Sequence, residues 1–303
     1  MNLGMIGLGK MGGNMARRLR GAGVEVAGFN RDATITNTLA EESGLVDAES
    51  AEALVAMLDA PRIIWLMLPA GDVTESYVRM MEELLQPGDT LIDGANSYYK
   101  DSMRRGEQIS AAGIHYIDAG VSGGVWGLEN GYAMMVGGSD DAVAGIKPII
   151  EALAPAADRG WVHAGPVGSG HFVKMIHNGI EYGMMQAYAE GFALMKGRDD
   201  FNLDLAEIAE SWRHGSVVRS WLLDLSADVL AADQQLDDVA PYVADSGEGR
   251  WTALEGIEQG VPTPVMSLAL MARFSSQGKQ DYSAKMLAMM RNQFGGHAIR
   301  SSK

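Results

Sequence analysis

The chain has 303 residues, with 39 acidic against 24 basic side chains, a net charge of −15 at pH 7, and no cysteine. Such a length carries two domains more readily than one. The negative charge opposes nonspecific binding to nucleic acid or an anionic membrane, and the lack of cysteine excludes disulfides, thiol catalysis and thiolate metal sites.

In chain order, the start Met1-Asn2-Leu3-Gly4-Met5-Ile6-Gly7 has no basic segment ahead of a long apolar one, and no apolar run approaches the ~18 residues of a membrane span. The expectation is a cytoplasmic protein with no membrane or nucleic-acid partner. Short apolar runs at residues 3–6, 24–29, 63–68, 90–92, 115–117 and 132–136 predict strands, with mostly helical stretches between them. This alternation predicts a parallel, doubly wound sheet. From about Pro166 the pattern changes to long Met-rich and Ala-rich helical stretches. The fold class is therefore α/β, a doubly wound Rossmann-type domain over residues 1–165 followed by an all-helical domain over residues 166–303. The turn-rich run Gly165-Pro166-Val167-Gly168-Ser169-Gly170 marks the boundary. Thr252-Ala253-Leu254-Glu255 has capping-box spacing for a new helix, and the last helix should end before Gly295-Gly296, leaving a short tail.

Gly7-Leu8-Gly9-Lys10-Met11-Gly12 follows the first strand and opens a helix. That spacing lets backbone approach a pyrophosphate whose charge is stabilised at the helix N-terminus. The second strand ends at Asn30-Arg31-Asp32, and all three are assigned to the cofactor. An acidic residue in place of Asn30 would mark a reader of the 2′-hydroxyl. Arg31 suits adenine stacking or a 2′-phosphate, whereas Asp32 suits a ribose hydroxyl and repels that phosphate. The cofactor is NAD or NADP, tilting slightly to NAD.

Three further loops fall where open α/β sheets bind ligands, beyond the carboxyl ends of strands. They are Leu68-Pro69-Ala70-Gly71, Asp93-Gly94-Ala95-Asn96-Ser97 and Ala119-Gly120-Val121-Ser122-Gly123-Gly124. Leu68 is assigned to the cofactor and Asn96 to both cofactor and substrate. Ser122, Gly123 and Gly124 offer a hydroxyl and backbone N–H groups suited to a carboxylate. Beyond the sheet, Lys174-Met175-Ile176-His177-Asn178-Gly179-Ile180-Glu181-Tyr182 sets a base, an acid and polar partners on one helical stripe. At about 100° per residue, His177, Asn178 and Glu181 fall within about 60° of Lys174, with Tyr182 beside them. The histidines at 163, 171, 177 and 297 lack the i, i+4 pairing of a helical zinc site, so no metal is expected.

At this point the residues resemble a known family. Asp93-Gly94-Ala95-Asn96-Ser97-Tyr98-Tyr99-Lys100-Asp101, Gly120-Val121-Ser122-Gly123-Gly124, the run from Gly170 to Gly183, Arg250-Trp251-Thr252 and Arg291-Asn292-Gln293-Phe294-Gly295-Gly296-His297 are similar to decarboxylating 6-phosphogluconate dehydrogenase. The glycine loops are shared with the wider β-hydroxyacid dehydrogenase superfamily. The common form of the family is considerably longer, with a duplicated all-helical half, so the chain resembles a short-chain form. It also carries Arg250 where the long form usually has Lys.

The resemblance implies oxidative decarboxylation of 6-phosphogluconate to ribulose 5-phosphate and CO2 with reduction of NAD(P). Lys174 would take the hydroxyl proton and Glu181 would protonate the carbon left by CO2. His177 and Asn178 would orient the substrate. Arg250, Thr252, Arg273 and Arg291 would hold its phosphate with Tyr182. In the family the tail arginine and histidine, here Arg291 and His297, reach a neighbouring subunit, which implies a homodimer at least, with a shared site. One rival reading is a dehydrogenase of a small unphosphorylated 3-hydroxy acid, which would need neither Glu181 nor the arginines. Another is a noncatalytic dinucleotide-sensing protein, with no reason to keep Lys174 and Glu181 together.

Overall fold

The computed structural model describes residues 2–279, 281–295 and 298–300. The chain divides into two compact units, Met1–Met175 and Ile176–Lys303. The first runs β1 (Asn2–Ile6), α1 (Lys10–Gly21), β2 (Glu25–Phe29), α2 (Ala33–Ser43), β3 (Val46–Asp47), α3 (Ala51–Met57), β4 (Ile63–Leu66) and α4 (Asp72–Leu84). It continues with β5 (Thr90–Asp93), α5 (Tyr99–Ala111), β6 (His115–Ser122), α6 (Gly127–Asn130), β7 (Ala133–Gly137), α7 (Asp140–Leu153) and β8 (Trp161–Gly165). Helix α8 (Ser169–Lys196) carries the chain into the second unit. There follow α9 (Leu205–Arg213), α10 (Trp221–Ala232), α11 (Glu248–Gln259), α12 (Pro264–Ser276) and α13 (Asp281–Gly295). No strand follows β8 among the described residues. The architecture is thus a Rossmann-type domain followed by an all-helical one.

The eight strands form one sheet in the order β3-β2-β1-β4-β5-β6-β7-β8. Order reverses between β1 and β4, which makes the crevice beyond their carboxyl ends the expected nucleotide site. Central strands buried on both faces read as continuous apolar runs; β4 is buried along its whole length. Two apolar clusters flank the sheet, one around Leu3, Trp65 and Ile117, the other around Ile64, Leu91 and Ile109.

The sheet is not wholly parallel as the strand rhythm suggested, because β7 pairs antiparallel with β6 and β8 runs parallel to β7. Strand β6 also extends to Ser122, so Ala119 to Ser122 are strand and not loop. The reversal decides where α8 begins. After β8 the chain leaves the sheet at the end where the parallel strands enter it, and α8 runs along β6 in that strand's own direction, from Gly170 beside Asp118 to Lys174 beside Gly120. Asp118 is fully buried, and its carboxylate accepts the Gly168 and His171 N–H groups at 2.6 and 2.7 Å. Negative charge is stabilised at a helix N-terminus. Close approach needs glycine here. A Cβ on Gly170 would lie 2.5 Å from the Asp118 carbonyl oxygen, and one on Gly137 would lie 2.8 Å from the Gly170 nitrogen.

In the second unit, α11 begins at Glu248, not at Thr252 as the capping-box spacing implied. A turn at Asp245 starts it earlier: Asp245 accepts the Gly247 N–H at 3.1 Å, and Gly247 has a φ of +108°, a conformation glycine tolerates. Thr252 sits inside the helix, its hydroxyl donating to the Glu248 carbonyl at 2.9 Å.

Candidate active site

The glycine loop closes over the carboxyl end of β1. Gly7 has a φ of +92°, and a Cβ there would stand 2.3 Å from the Met67 carbonyl oxygen. A Cβ on Gly12 would stand 2.0 Å from the Gly7 oxygen, so α1 can pack on β1 only with glycine at that position. Gly9 by contrast has nothing within 4 Å of its would-be Cβ, leaving open space at the start of α1. The loop thus fits a dinucleotide pyrophosphate. Lys10 is exposed beside it and Met11 is half-buried. The Leu8 side chain belongs to the core, and its N–H donates to the Asn30 side-chain oxygen at 3.0 Å.

That bond gives Asn30 a structural part in the cofactor loop. Its amide also donates to the Asp32 carbonyl at 3.2 Å, so it ties the glycine loop to the end of β2. Asp32 caps α2 by accepting the Thr34 N–H at 3.0 Å. Its side chain lines a cavity of about 340 Å³ with Leu8, Gly9, Lys10, Arg17 and Thr34. Arg31 is exposed. Leu68 is half-buried, its Cδ2 3.0 Å from the would-be Gly7 Cβ.

Asn96 is exposed between buried Ala95 and Ser97 at the end of β5. Beneath it is a charged cluster that the sequence pattern did not reveal. Asp93 meets Arg105 at 3.1 Å, and Arg105 meets Glu75 at 2.9 Å. Hydrogen bonding from Arg104 holds the Glu75 carboxyl down to about 2; burial opposes this and Arg105 adds to it. Burial, reinforced by the Asp93 charge, pushes the Tyr116 phenol well above its ordinary value. An aspartate closing the apolar run of β5 and another interrupting that of β6 were the available signals for Asp93 and Asp118.

Lys174 is 7% exposed, and Gly120 leaves the space it fills: a Cβ on Gly120 would lie 2.4 Å from the Lys174 Cβ. One turn earlier, His171 is buried with its Nδ1 2.7 Å from the Ser102 hydroxyl. Ser122 ends β6 half-buried. Gly123 and Gly124 follow with φ of +145° and +53°, so glycine suits both positions.

In the second unit, His177 and Asn178 are paired, with Nδ1 3.1 Å from Oδ1, and Glu181 lies one turn on with an oxygen 3.8 Å from the same imidazole nitrogen. Asn178 is 8% exposed. Tyr182 is buried, its hydroxyl 3.1 Å from Ser246, and the Arg273 guanidinium stacks 3.4 Å above its ring. Arg250 pairs with Asp245 and lies over the Phe274 ring. Thr252 is 1% exposed and packs its methyl under Gly179 of α8. The unit therefore gathers Tyr182, Arg273, Ser246 and Arg250 around one turn, with Thr252 beneath. Arg291 is exposed on α13, and His297 lies outside the described residues.

The sheet, its switch point and the glycine loop define a protein of the dinucleotide-binding class with a helical second domain. Residues 2–164 match the family model for the NAD binding domain of 6-phosphogluconate dehydrogenase, and residues 170–301 match that for the 6-phosphogluconate dehydrogenase C-terminal domain. The chain is 41% identical to the NAD(+)-dependent, decarboxylating 6-phosphogluconate dehydrogenase of Haloferax volcanii, over 99% of this chain and 98% of that one. It is 35% identical to the NADP(+)-dependent, decarboxylating enzyme of Bacillus subtilis, over 92% of this chain but 62% of that longer one. The solved Plasmodium falciparum 6-phosphogluconate dehydrogenase superposes with a TM-score of 0.84 at 29% identity, covering 100% of this chain and 67% of the other. The chain belongs to the 6-phosphogluconate dehydrogenase family.

Proposed function

We propose that the protein oxidises 6-phosphogluconate and decarboxylates it to ribulose 5-phosphate and CO2, with NAD or NADP reduced. The observation that carries this reading is the polar stripe of α8: a lysine only 7% exposed, followed on the same helix by His177, Asn178 and Glu181. Oxidation of a secondary alcohol needs a base for the hydroxyl proton, and Lys174 takes it. The nicotinamide, when bound, supplies the acceptor for the two electrons and the hydrogen leaving carbon. The β-keto acid formed loses CO2 readily because its ketone accepts the electrons of the breaking bond, and the Lys174 ammonium polarises that carbonyl. The enediol left behind gains its carbon-bound proton from Glu181. His177 and Asn178 orient the substrate between the two groups.

The glycine loop with Gly7, Gly9, Lys10, Met11 and Gly12 would hold the pyrophosphate, with Arg31 and Asp32 toward the adenosine and Leu68 and Asn96 toward the nicotinamide. The charge of Asp32 tilts the choice slightly to NAD. Ser122, Gly123 and Gly124 take the substrate carboxylate. Arg250, Arg273, Thr252 and Tyr182 take the phosphate, completed by Arg291 and His297 from a second copy in a homodimer. Planar guanidinium groups suit phosphate oxygens. Exposed Val265, Leu268, Tyr282 and Leu287 support a partner surface on α12 and α13. The nucleotide role is assigned to residues 1–165, substrate and dimer contacts to residues 166–303, and the reaction to the cytoplasm.

The test is to incubate the purified protein with 6-phosphogluconate and each dinucleotide while following nicotinamide absorbance and CO2. Coupled reduction and CO2 release is expected. Reduction without CO2 would favour a β-hydroxyacid dehydrogenase, and no reduction would overturn a catalytic role.

A further inference from the structure

Asp93 and Arg105 are 0% and 1% exposed, with Nη1 and Oδ2 3.1 Å apart. Removing an ion pair from water costs several kcal/mol per ion, and an apolar pair of the same volume is often as stable. Directional bonding is what such a pair adds. Asp93 Oδ1 accepts the Ala95 N–H at 3.1 Å, and Oδ2 accepts the Ser97 and Tyr116 hydroxyls, each at 3.0 Å. Arg105 Nη1 also donates to the Ser97 hydroxyl at 3.1 Å, while its Nε donates to Glu75 on α4 at 2.9 Å. Glu75 is gripped from its other side by Arg104 through bonds of 3.0 and 2.7 Å.

Two of the groups held by Asp93 belong to Ala95 and Ser97, the neighbours of Asn96 on either side. Both are buried while Asn96 is exposed, so the network turns one side chain of the loop outward. The loop starts in close contact with β4, since a Cβ on Gly94 would stand 2.3 Å from the Trp65 indole nitrogen. We propose that Arg105 is a positioning residue: acting through Asp93 and Ser97, it fixes the direction in which Asn96 meets cofactor and substrate. This rests on the placement of Asn96 in the binding site given above.

The test is a double-mutant cycle on the full chain with Arg105→Lys, Asn96→Ala and their combination, reading both kcat/KM and the dissociation constant for NAD by fluorescence titration. Lysine keeps the charge but lacks the planar fork that reaches Glu75, Asp93 and Ser97 together. Arg105→Lys is expected to lower kcat/KM about 10- to 100-fold in the parent chain and less than about twofold in the Asn96→Ala background, since residues of one network are non-additive. Equal losses in both backgrounds would mean that Arg105 only stabilises the fold, and would overturn the proposal. An Asn96→Ala chain with unchanged kinetics and NAD affinity would instead overturn the placement of Asn96. Ser97→Ala removes a single hydroxyl and is expected to repeat the non-additivity at smaller size, so the cycle can be completed even where Arg105→Lys fails to fold.

Discussion

Gly120 and Lys174 share one space: a Cβ on the glycine would stand 2.4 Å from the lysine Cβ and 2.9 Å from its Cγ. The glycine of β6 therefore sets how deeply the proposed base sits. Gly120→Ala should force the lysine stem outward at an overpacking cost of about 1–3 kcal/mol. A displacement near 1 Å costs roughly 100-fold in rate. We expect kcat to fall by about that factor while the NAD dissociation constant holds, measured by steady-state kinetics beside a binding titration.

Lys174→Met should abolish oxidation and decarboxylation together, because one amine serves both steps. Glu181→Gln should slow mainly the protonation of carbon, by roughly 10²- to 10⁴-fold for a lost general acid. Rapid-quench separation of nicotinamide reduction from ribulose 5-phosphate formation distinguishes the two variants. Near-normal turnover by the lysine variant would sink the mechanism.

Glu75 makes stability depend on acid. Its folded pKa is depressed to about 2 from an ordinary 4.5, so its contribution is present above about pH 4.5 and is lost as pH falls toward about 2. Solvent screening of the partly exposed Arg104 pair holds this contribution to roughly 1 kcal/mol. Glu75→Gln should lower the melting temperature at neutral pH and flatten the loss of stability over that acid range, as followed by circular dichroism.

For the cofactor, Arg31→Ala should lower kcat/KM with NADP about tenfold if the arginine meets a 2′-phosphate, and leave NAD almost untouched. Asp32→Asn retains an oxygen for the Thr34 N–H at the start of α2 while removing the charge facing the cavity. It should raise NADP use relative to NAD. Unchanged ratios in both variants would place the discrimination elsewhere.

Deleting residues 291–303 should raise KM for 6-phosphogluconate roughly 10- to 100-fold, the value of one charged hydrogen-bonding contact. Mixing this chain with a Lys174→Met chain should restore part of the activity if a tail serves its neighbour. Failure of such mixed dimers to recover would argue that each site is self-contained.

Much of this was legible from the chain. The central strands are apolar runs because both faces are covered, and the stripe on α8 was visible as helical spacing. Strands β3 and β8 were missed because one has two residues and the other has no fully buried residue, so neither shows a continuous apolar run. The reversal at β7 was hidden by Asp118. A buried aspartate that caps α8 interrupted the apolar run and made β6 look short, concealing that the link from Ser122 to Ala133 is too brief for a parallel crossover. The tie that Asn30 makes between the glycine loop and the end of β2 was hidden because a side-chain amide that joins two loops is indistinguishable, by position alone, from one that meets only a ligand. The network under Asn96 joins residues 75, 93, 97, 105 and 116, a separation no local pattern records.

The reversed strand pair also fixes the chain's tolerance of length change. Because α8 climbs along β6 from an anchor at Asp118, the height and bearing of Lys174 are counted off residue by residue from Gly170. One inserted residue between them would advance the amine by about 1.5 Å and swing it by about 100°, off β6 altogether. An insertion or deletion there has to be undone by another on the same helix, whereas exposed Val173 between the fixed ends can be substituted, so this short span admits a change of letter at that position but none of length.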